Sequence, residues 1–168
     1  SKSILQRFNF RRKIYDIKFS PDDRSFAVTH GHGVQLWRTP NVRKEFQGLI
    51  LLRKIAGHYD DTTCLDWSKD SNMIVMGSKD LTARVYYRVH SRNMSKTTLT
   101  GHRDIIVGSY FSEDNDMVFT IAQDGAVFTW QFAPGERRVV GAKKRRHDEA
   151  DVEMNGRKGD NGSDSYWC

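Results

Sequence analysis

The stretch TGHRDIIVGSYFSEDNDMVFTIAQDGAVFTW, residues 100–130, opens with Thr-Gly-His, closes with Trp and carries an Asp-Gly turn between two apolar runs. Short apolar segments separated by Ser-, Asn- and Asp-rich turns are typical of antiparallel strands. The same stretch contains His102, Thr120 and Asp124, which are residue types that a catalytic triad uses. The rest of the chain decides between a structural and a catalytic interpretation.

Two earlier stretches, residues 10–37 and 58–87, repeat this pattern. Each copy contains an aromatic residue followed by serine, and these pairs are Phe19-Ser20, Trp67-Ser68 and Phe111-Ser112. The pairs are spaced by 48 and 44 residues, and in the two later copies a histidine precedes the aromatic residue by 9 positions. Self-similarity at such a period is typical of repeat architectures, including β-propellers.

Each copy divides into short strands. The segment IYDIKF places Tyr15, Ile17 and Phe19 on one face and Asp16 and Lys18 on the other, which is the period of two of a strand. Inner strands are predicted at SFAVT, MIVMG and MVFTI, and outer strands at SILQRF, LILLRKI and KTTLT. The sequence therefore predicts an all-β fold of about three consecutive four-stranded blades. Because closed propellers have at least four blades, these three are expected to belong to a larger propeller.

The Gly-His pair, the aromatic-Ser pair, the turn aspartate and the closing tryptophan resemble WD40 repeats. The resemblance identifies residues 1–133 as a partial WD40 propeller, with repeats at about residues 8–38, 57–88 and 101–132. The chain departs from the family pattern in the Trp-Asp dipeptide, because Arg38, Tyr87 and Gln131 follow the closing aromatic residues.

The resemblance also implies that a histidine, a hydroxyl, the turn aspartate and the tryptophan of one copy form a buried hydrogen-bond network inside the blade. These groups can be linked because each supplies a donor or acceptor that its neighbour lacks. In the second copy Met76 replaces the hydroxyl and a tyrosine replaces the tryptophan, and the first copy keeps only Trp37. The predicted network residues are His102, Thr120, Asp124 and Trp130 in the third copy and His58, Asp80 and Tyr86 in the second.

A structural network is favoured over a triad, because a catalytic base must be accessible to substrate. His30 and His32 are a weak zinc signal without a third ligand, and the HGHG segment lacks the following helix of a phosphate-binding loop. Cys64 and Cys168 have neither disulfide-framework nor metal spacing. The sequence therefore predicts no catalytic, metal-binding or cofactor-binding residue.

The chain of 168 residues has a net charge of +6, which is compatible with an anionic partner. Its longest apolar run, residues 48–52, is far shorter than the roughly 20 residues of a membrane-spanning helix, so no membrane partner is expected. Candidate contacts to RNA or to an acidic partner are Arg11, Arg12, Lys13, Arg38, Arg43, Lys44, Arg88, Arg92, Lys96, Lys143, Lys144, Arg145 and Arg146.

Residues 134–168 are predicted to be a charged low-complexity linker or insertion, because they contain basic and acidic blocks and few core-forming residues. The run KKRR, residues 143–146, fits a nuclear import signal, a nucleic-acid contact or a solvated linker.

Two short segments narrow the resemblance. The run YDDTTCLDW, residues 59–67, and the connector RKEF, residues 43–46, closely resemble nucleolar WD40 proteins of the small-subunit processome. This implies a non-catalytic scaffold that supports pre-rRNA processing, 18S rRNA maturation and 40S ribosomal subunit biogenesis. The implied partners, in a hetero-oligomeric assembly, are the other proteins of the U three protein B (UtpB) subcomplex, the U3 snoRNP and the 5′ leader of pre-rRNA. The alternative is a WD40 peptide-binding scaffold or substrate receptor in another complex.

Overall fold

A computed structural model of the chain describes residues 4, 6–40, 48–89, 96–132 and 139–144. These residues form strands, turns and extended segments without any helix, so none of them provides a helix able to cross a membrane. The strands assemble into three antiparallel sheets of four strands each. The prediction of an all-β fold built from consecutive four-stranded blades is therefore confirmed.

The first sheet, blade 1, contains β1 (Ile17–Phe19), β2 (Ser25–Thr29), β3 (Gly33–Arg38) and β4 (Ile50–Ala56). Blade 2 contains β5 (Thr62–Trp67), β6 (Met73–Ser78), β7 (Ala83–Tyr87) and β8 (Thr97–Leu99). Blade 3 contains β9 (Ile106–Phe111), β10 (Met117–Ala122), β11 (Val127–Phe132) and β12 (Val139–Lys144). In each blade the strands pair in chain order.

Two predicted segments differ from the structure. Residues 139–144 lie in the segment predicted as a linker, yet they form β12, which pairs with β11. An unpaired strand edge on β11 favours the addition of an outer strand, and Val139 and Val140 have high β-propensity. At the other end, residues 4 and 6–8 of the predicted strand SILQRF form no strand. Instead, Phe8 and Phe10 pack edge-on against Trp37, at centroid distances of 4.8 and 5.7 Å.

The same turn chemistry closes the first hairpin of every blade. A serine hydroxyl donates to the aspartate two residues later, and the third-blade pair is the shortest of the three. These pairs are Ser20–Asp22, Ser68–Asp70 and Ser112–Asp114. The following residue has a positive φ of 56°, 60° and 62° at Asp23, Ser71 and Asn115 respectively. Asp and Asn tolerate this backbone region better than most residues, which explains the Asp- and Asn-rich turns of the repeat.

Two of the three apolar clusters lie between blades, and the buried residues of the third, Phe26, Val28 and Trp37, all belong to blade 1. One cluster joins Leu36 of blade 1 to Leu65, Trp67 and Met76 of blade 2. A second cluster joins β5–β8 to β9–β11. Blades 2 and 3 approach closely at Gly77, because a methyl group added there would lie 2.5 Å from the Ile106 side chain.

Polar contacts also cross both blade boundaries. The Asp16 carboxylate accepts the Leu65 backbone N–H at 3.1 Å, and the Asp66 carboxylate accepts the Phe111 N–H at 3.0 Å. The Trp67 indole N–H donates to the Lys18 carbonyl at 3.1 Å. Because these bonds have defined directions, they fix the position of each blade relative to the next.

Cys64 is buried at the boundary between blades 2 and 3, where its Sγ lies 3.4 Å from the Ser109 hydroxyl. Burial raises the pKa of this thiol, which keeps it protonated at neutral pH. It therefore contributes to packing as a small apolar side chain.

Candidate functional site

The predicted polar network of the third copy is present in blade 3 except for its aspartate. The Thr120 hydroxyl oxygen accepts the Trp130 indole N–H at 2.9 Å and lies 2.7 Å from His102 Nε2. The Thr120 hydroxyl thus joins the indole and the imidazole, because a hydroxyl has one donor and two acceptor sites. The His102 ring stacks on Phe128 at a centroid distance of 4.2 Å.

Asp124 is exposed and is not bonded to His102, so its inclusion in the network was wrong. Its carboxylate accepts the Ala126 backbone N–H at 3.0 Å and thereby closes its own turn. This local bond holds the side chain on the turn. The buried Nδ1 of His102 consequently has no hydrogen-bond partner.

Blade 2 contains the histidine–aspartate pair that is absent from blade 3. His58 Nδ1 donates to the Asp80 carboxylate at 3.0 Å, and that carboxylate also accepts the Tyr59 N–H at 2.9 Å. The Thr82 hydroxyl donates to the other Asp80 oxygen at 2.6 Å. Burial opposes the charge on Asp80, but the bonds from Thr82, Tyr59 and His58 lower its pKa to about 2.

Tyr86, which was predicted to belong to the blade 2 network, is bonded elsewhere. The Tyr86 hydroxyl donates to the Ala56 carbonyl at 3.4 Å rather than to the imidazole. His58 Nε2 is buried without a partner, as expected where Met76 occupies the position of the hydroxyl. Thr82 was missed by the sequence analysis, although a hydroxyl two residues after a turn aspartate is a recognisable turn signal.

This geometry does not fit a catalytic triad. His102 is 7% exposed and Thr120 is fully buried, so no substrate reaches the hydroxyl without opening the blade. The same bonds suit a structural role, since they satisfy polar groups between strands of one sheet.

The two buried histidines are expected to make stability depend on pH. Burial lowers the pKa of both His58 and His102, whereas an unfolded histidine titrates near 6.5. As pH falls below 6.5, the unfolded chain takes up protons that the folded chain does not, so stability is lost. The unfolding free energy should fall between pH 7 and pH 5, by up to about 1.4 kcal/mol per pH unit for each histidine.

The measurement is guanidinium denaturation at a series of pH values. The variant His102→Gln should show a shallower loss of stability over this range than the parent chain, whatever its stability at pH 7. If stability fell with pH equally steeply in the two proteins, a lowered pKa of His102 in the folded state would be contradicted.

The HGH segment forms a turn rather than a metal site. His30 Nε2 donates to the Phe10 carbonyl at 3.1 Å, and the His32 carbonyl accepts the N–H of Gly57 and of His58. Among the residues that the structure describes, no three His, Cys, Asp or Glu side chains are grouped to hold a metal ion.

The predicted basic contacts are found in different environments. Arg88 is held by an ion pair with Asp22 at 2.6 Å and by the Ser25 hydroxyl at 2.8 Å, which gives it a structural role between blades 1 and 2. The exposed members are Arg11, Arg12, Lys13, Arg38 and Lys96. Lys143 and Lys144 lie in β12. The remaining members, Arg43, Lys44, Arg92, Arg145 and Arg146, lie outside the described residues.

The structure brings Lys13, one of the predicted basic contacts, and Lys79 of blade 2 to the same tyrosine ring. Lys13 Nζ lies 4.6 Å from the centroid of the Tyr15 ring, and Lys79 Nζ lies 5.0 Å from the same centroid. Lys79 also donates to the Tyr15 hydroxyl at 2.8 Å and pairs with Asp61 at 3.3 Å. The sequence analysis missed Tyr15 and Lys79 as surface residues, because 64 positions separate them.

Comparisons with known proteins agree with this architecture. The family model described as "WD domain, G-beta repeat" matches residues 50–86, which run from β4 into β7. Periodic tryptophan protein 2 of Saccharomyces cerevisiae is 42% identical over 135 residues, which cover 79% of this chain and 15% of that protein.

Two further relatives bear related names. The periodic tryptophan protein 2 homologue of Schizosaccharomyces pombe is 39% identical over 79% of this chain and 16% of the relative. The mouse homologue is 37% identical over 77% of the chain and 14% of the relative. The chain thus spans about 15% of the length of the first of these curated relatives. Together with the three four-stranded blades and the repeated hairpin turns, these matches establish that the chain belongs to the WD40-repeat family and resembles periodic tryptophan protein 2.

Proposed function

We propose that the protein is a non-catalytic WD40 scaffold of the small-subunit processome in the nucleolus. In this role it supports pre-rRNA processing, 18S rRNA maturation and 40S subunit biogenesis. Its proposed partners are the other UtpB subcomplex proteins, the U3 snoRNP and the 5′ leader of pre-rRNA.

The observation that carries the proposal is the similarity to periodic tryptophan protein 2 in yeast, fission yeast and mouse. It extends over 77–79% of this chain, whereas the general WD40 model matches only residues 50–86. Similarity at this level is more particular than the spacing that all WD40 repeats share.

A scaffold role also fits the chemistry of the polar side chains. The histidines that have hydroxyl or carboxylate neighbours are buried, and their bonds stay within one blade. Asp16 and Asp66 are engaged by backbone N–H groups of the next blade. These groups hold a platform together, and the variable loops and rims remain for partners.

The test is purification of the full-length tagged protein from growing cells under native conditions, followed by sequencing of its RNA and mass spectrometry of its partners. We expect enrichment of U3 RNA and pre-rRNA leader over an unrelated nucleolar protein with the same tag. Recovery of ubiquitin-ligase subunits or peptide-bearing substrates without U3 RNA would instead support the substrate-receptor alternative.

A further inference from the structure

One end of blades 1 and 2, where β1 and β5 begin, carries three cations and an exposed aromatic ring. We refer to Arg12, Lys13, Tyr59 and Lys79 as the blade-end surface. The Nζ atoms of Lys13 and Lys79 lie 4.6 and 5.0 Å from the centroid of the Tyr15 ring, so each of the two blades contributes one cation near this ring. Tyr59 belongs to the same end of blade 2 as Lys79, because its backbone N–H donates to the carboxylate of Asp80, the next residue after Lys79, at 2.9 Å.

The described carboxylates at this end are mostly held by neighbouring donors, whereas Arg12 and Lys13 form no ion pair with a described residue. Blade 1 contributes no free carboxylate, since Asp16 accepts the Leu65 N–H. On blade 2, Asp61 pairs with Lys79, and the Asp80 carboxylate accepts hydrogen bonds from His58, Tyr59 and Thr82. Asp60 is the exposed carboxylate that remains beside them. Arg12 and Lys13 are both exposed and available to an anionic ligand.

Tyr59 has the geometry of a stacking platform. Its side chain is 86% exposed, while its backbone is held by the Asp80 carboxylate. The Arg84 guanidinium carbon lies 5.7 Å from the ring centroid, and Arg84 is itself 6% exposed and donates to the Gly57 carbonyl. The ring therefore rests on a fixed cation on one side, and most of the remaining ring surface faces solvent. Cations beside an accessible aromatic ring are the elements that bind single strands without reading base edges.

We propose that the blade-end surface binds single-stranded RNA, with Arg12 and Lys13 contacting phosphates, Lys79 remaining in its ion pair with Asp61, and Tyr59 stacking on a base. A nucleic-acid ligand is favoured over an acidic protein segment because it uses the aromatic face as well as the charges. The cations also extend across two blades, which suits an extended polyanion. This deepens the proposed function and rests on it for the source of the RNA.

The experiment measures binding of the full-length protein to a labelled oligouridylate by fluorescence anisotropy over a range of salt concentrations. For the double variant Arg12→Glu/Lys13→Glu we expect at least tenfold weaker binding. The plot of log affinity against log salt should become shallower by about 1.4, since each phosphate contact on a single strand contributes about 0.7. Arg24→Glu is the matched control, because Arg24 is exposed in the turn at the opposite end of blade 1, and it should bind as the parent does.

The stacking contribution is tested separately. Tyr59→Ala should weaken binding about tenfold and leave the salt dependence unchanged, while Tyr59→Phe should restore the affinity, since stacking needs only the ring. All these positions are exposed, so the melting temperature should stay within about 2 °C of the parent value.

The result that overturns the proposal is parental affinity and parental salt dependence in both the double variant and Tyr59→Ala. Binding of a polyglutamate peptide in place of the oligouridylate, with loss only in the charge-reversed variant, would also overturn it and indicate an acidic protein partner. If the surface fails these tests but the protein still copurifies with U3 RNA, the site is wrong and the scaffold function stands. Absence of U3 RNA refutes the scaffold function, whatever the isolated protein binds.

Discussion

Replacing Trp67 by alanine is expected to destabilise the protein by about 3–5 kcal/mol, the range for removing a large buried aromatic side chain. Trp67 is buried between blades 1 and 2, where it packs with Leu36 and Leu65. Its indole N–H also bonds to the Lys18 carbonyl across the boundary. The substitution therefore removes apolar contacts of both blades and leaves the Lys18 carbonyl without this donor.

The free energy of unfolding, obtained from guanidinium denaturation, measures this effect. Trp67→Phe is the control, because it keeps most of the packing and loses the indole bond, so about 1–2 kcal/mol is expected. A cost below about 1 kcal/mol for Trp67→Ala would mean that the blades do not depend on this contact. A sharper comparison is Trp67→Ala beside Tyr59→Ala, because Tyr59 is exposed and its removal should leave stability nearly unchanged.

The substitution Thr120→Val is expected to cost about 3 kcal/mol although it hardly changes side-chain volume. The hydroxyl accepts the Trp130 indole N–H and lies 2.7 Å from His102 Nε2. Valine leaves both nitrogens buried without a partner, and each such group costs roughly 1–3 kcal/mol. Differential scanning calorimetry or denaturant titration provides the measurement.

Two control variants make this result specific. Thr120→Ser retains the hydroxyl and should recover most of the lost stability. Asp124→Ala should cost at most about 1 kcal/mol, because Asp124 bonds only to the backbone of its own turn. If Asp124→Ala were as harmful as Thr120→Val, the carboxylate would belong to the network after all.

Blade 2 illustrates how a degenerate copy keeps part of the same stabilisation. It lacks the hydroxyl at Met76, yet the His58–Asp80 pair remains and is supported by Thr82. Blade 1 has neither histidine nor aspartate at these positions, and its Trp37 indole donates instead to Gln35 at 3.1 Å. The three blades thus satisfy their buried polar groups with different side chains on one backbone plan.

The repeated hairpins could be predicted from the sequence because the contacts that define them join residues close together in the chain. Each aromatic-Ser pair opens a hairpin whose turn bonds span two to five residues, and such contacts are encoded in adjacent positions. The outer strand β12 was missed for the opposite reason. Its formation depends on the edge that β11 offers for pairing, and the two valines at its start are too short a signal to predict a strand within a charged segment.

Less of the candidate site than of the fold could be predicted from the sequence. Arg12 and Lys13 were named from their charge, but Lys79 and Tyr59 joined them only when blades 1 and 2 were packed together. The contact between Lys79 and Tyr15 joins residues 64 positions apart, and no periodic pattern reports the angle between two sheets. The prediction that Asp124 bonds to His102 was wrong for a different reason. A turn carboxylate has a backbone donor nearby, which competes with an imidazole more distant in the chain.

The amino-acid sequence by itself determined that this protein folds into successive four-stranded blades, because strand periodicity and turn chemistry act over a few residues. It also determined which side chains of a blade are able to form a polar network. Only the tertiary structure decided which of them do so, with His102 bonded to Thr120 and His58 bonded to Asp80. The meeting of Lys13 and Lys79 at the Tyr15 ring was likewise decided there, since it follows from the packing of blade against blade.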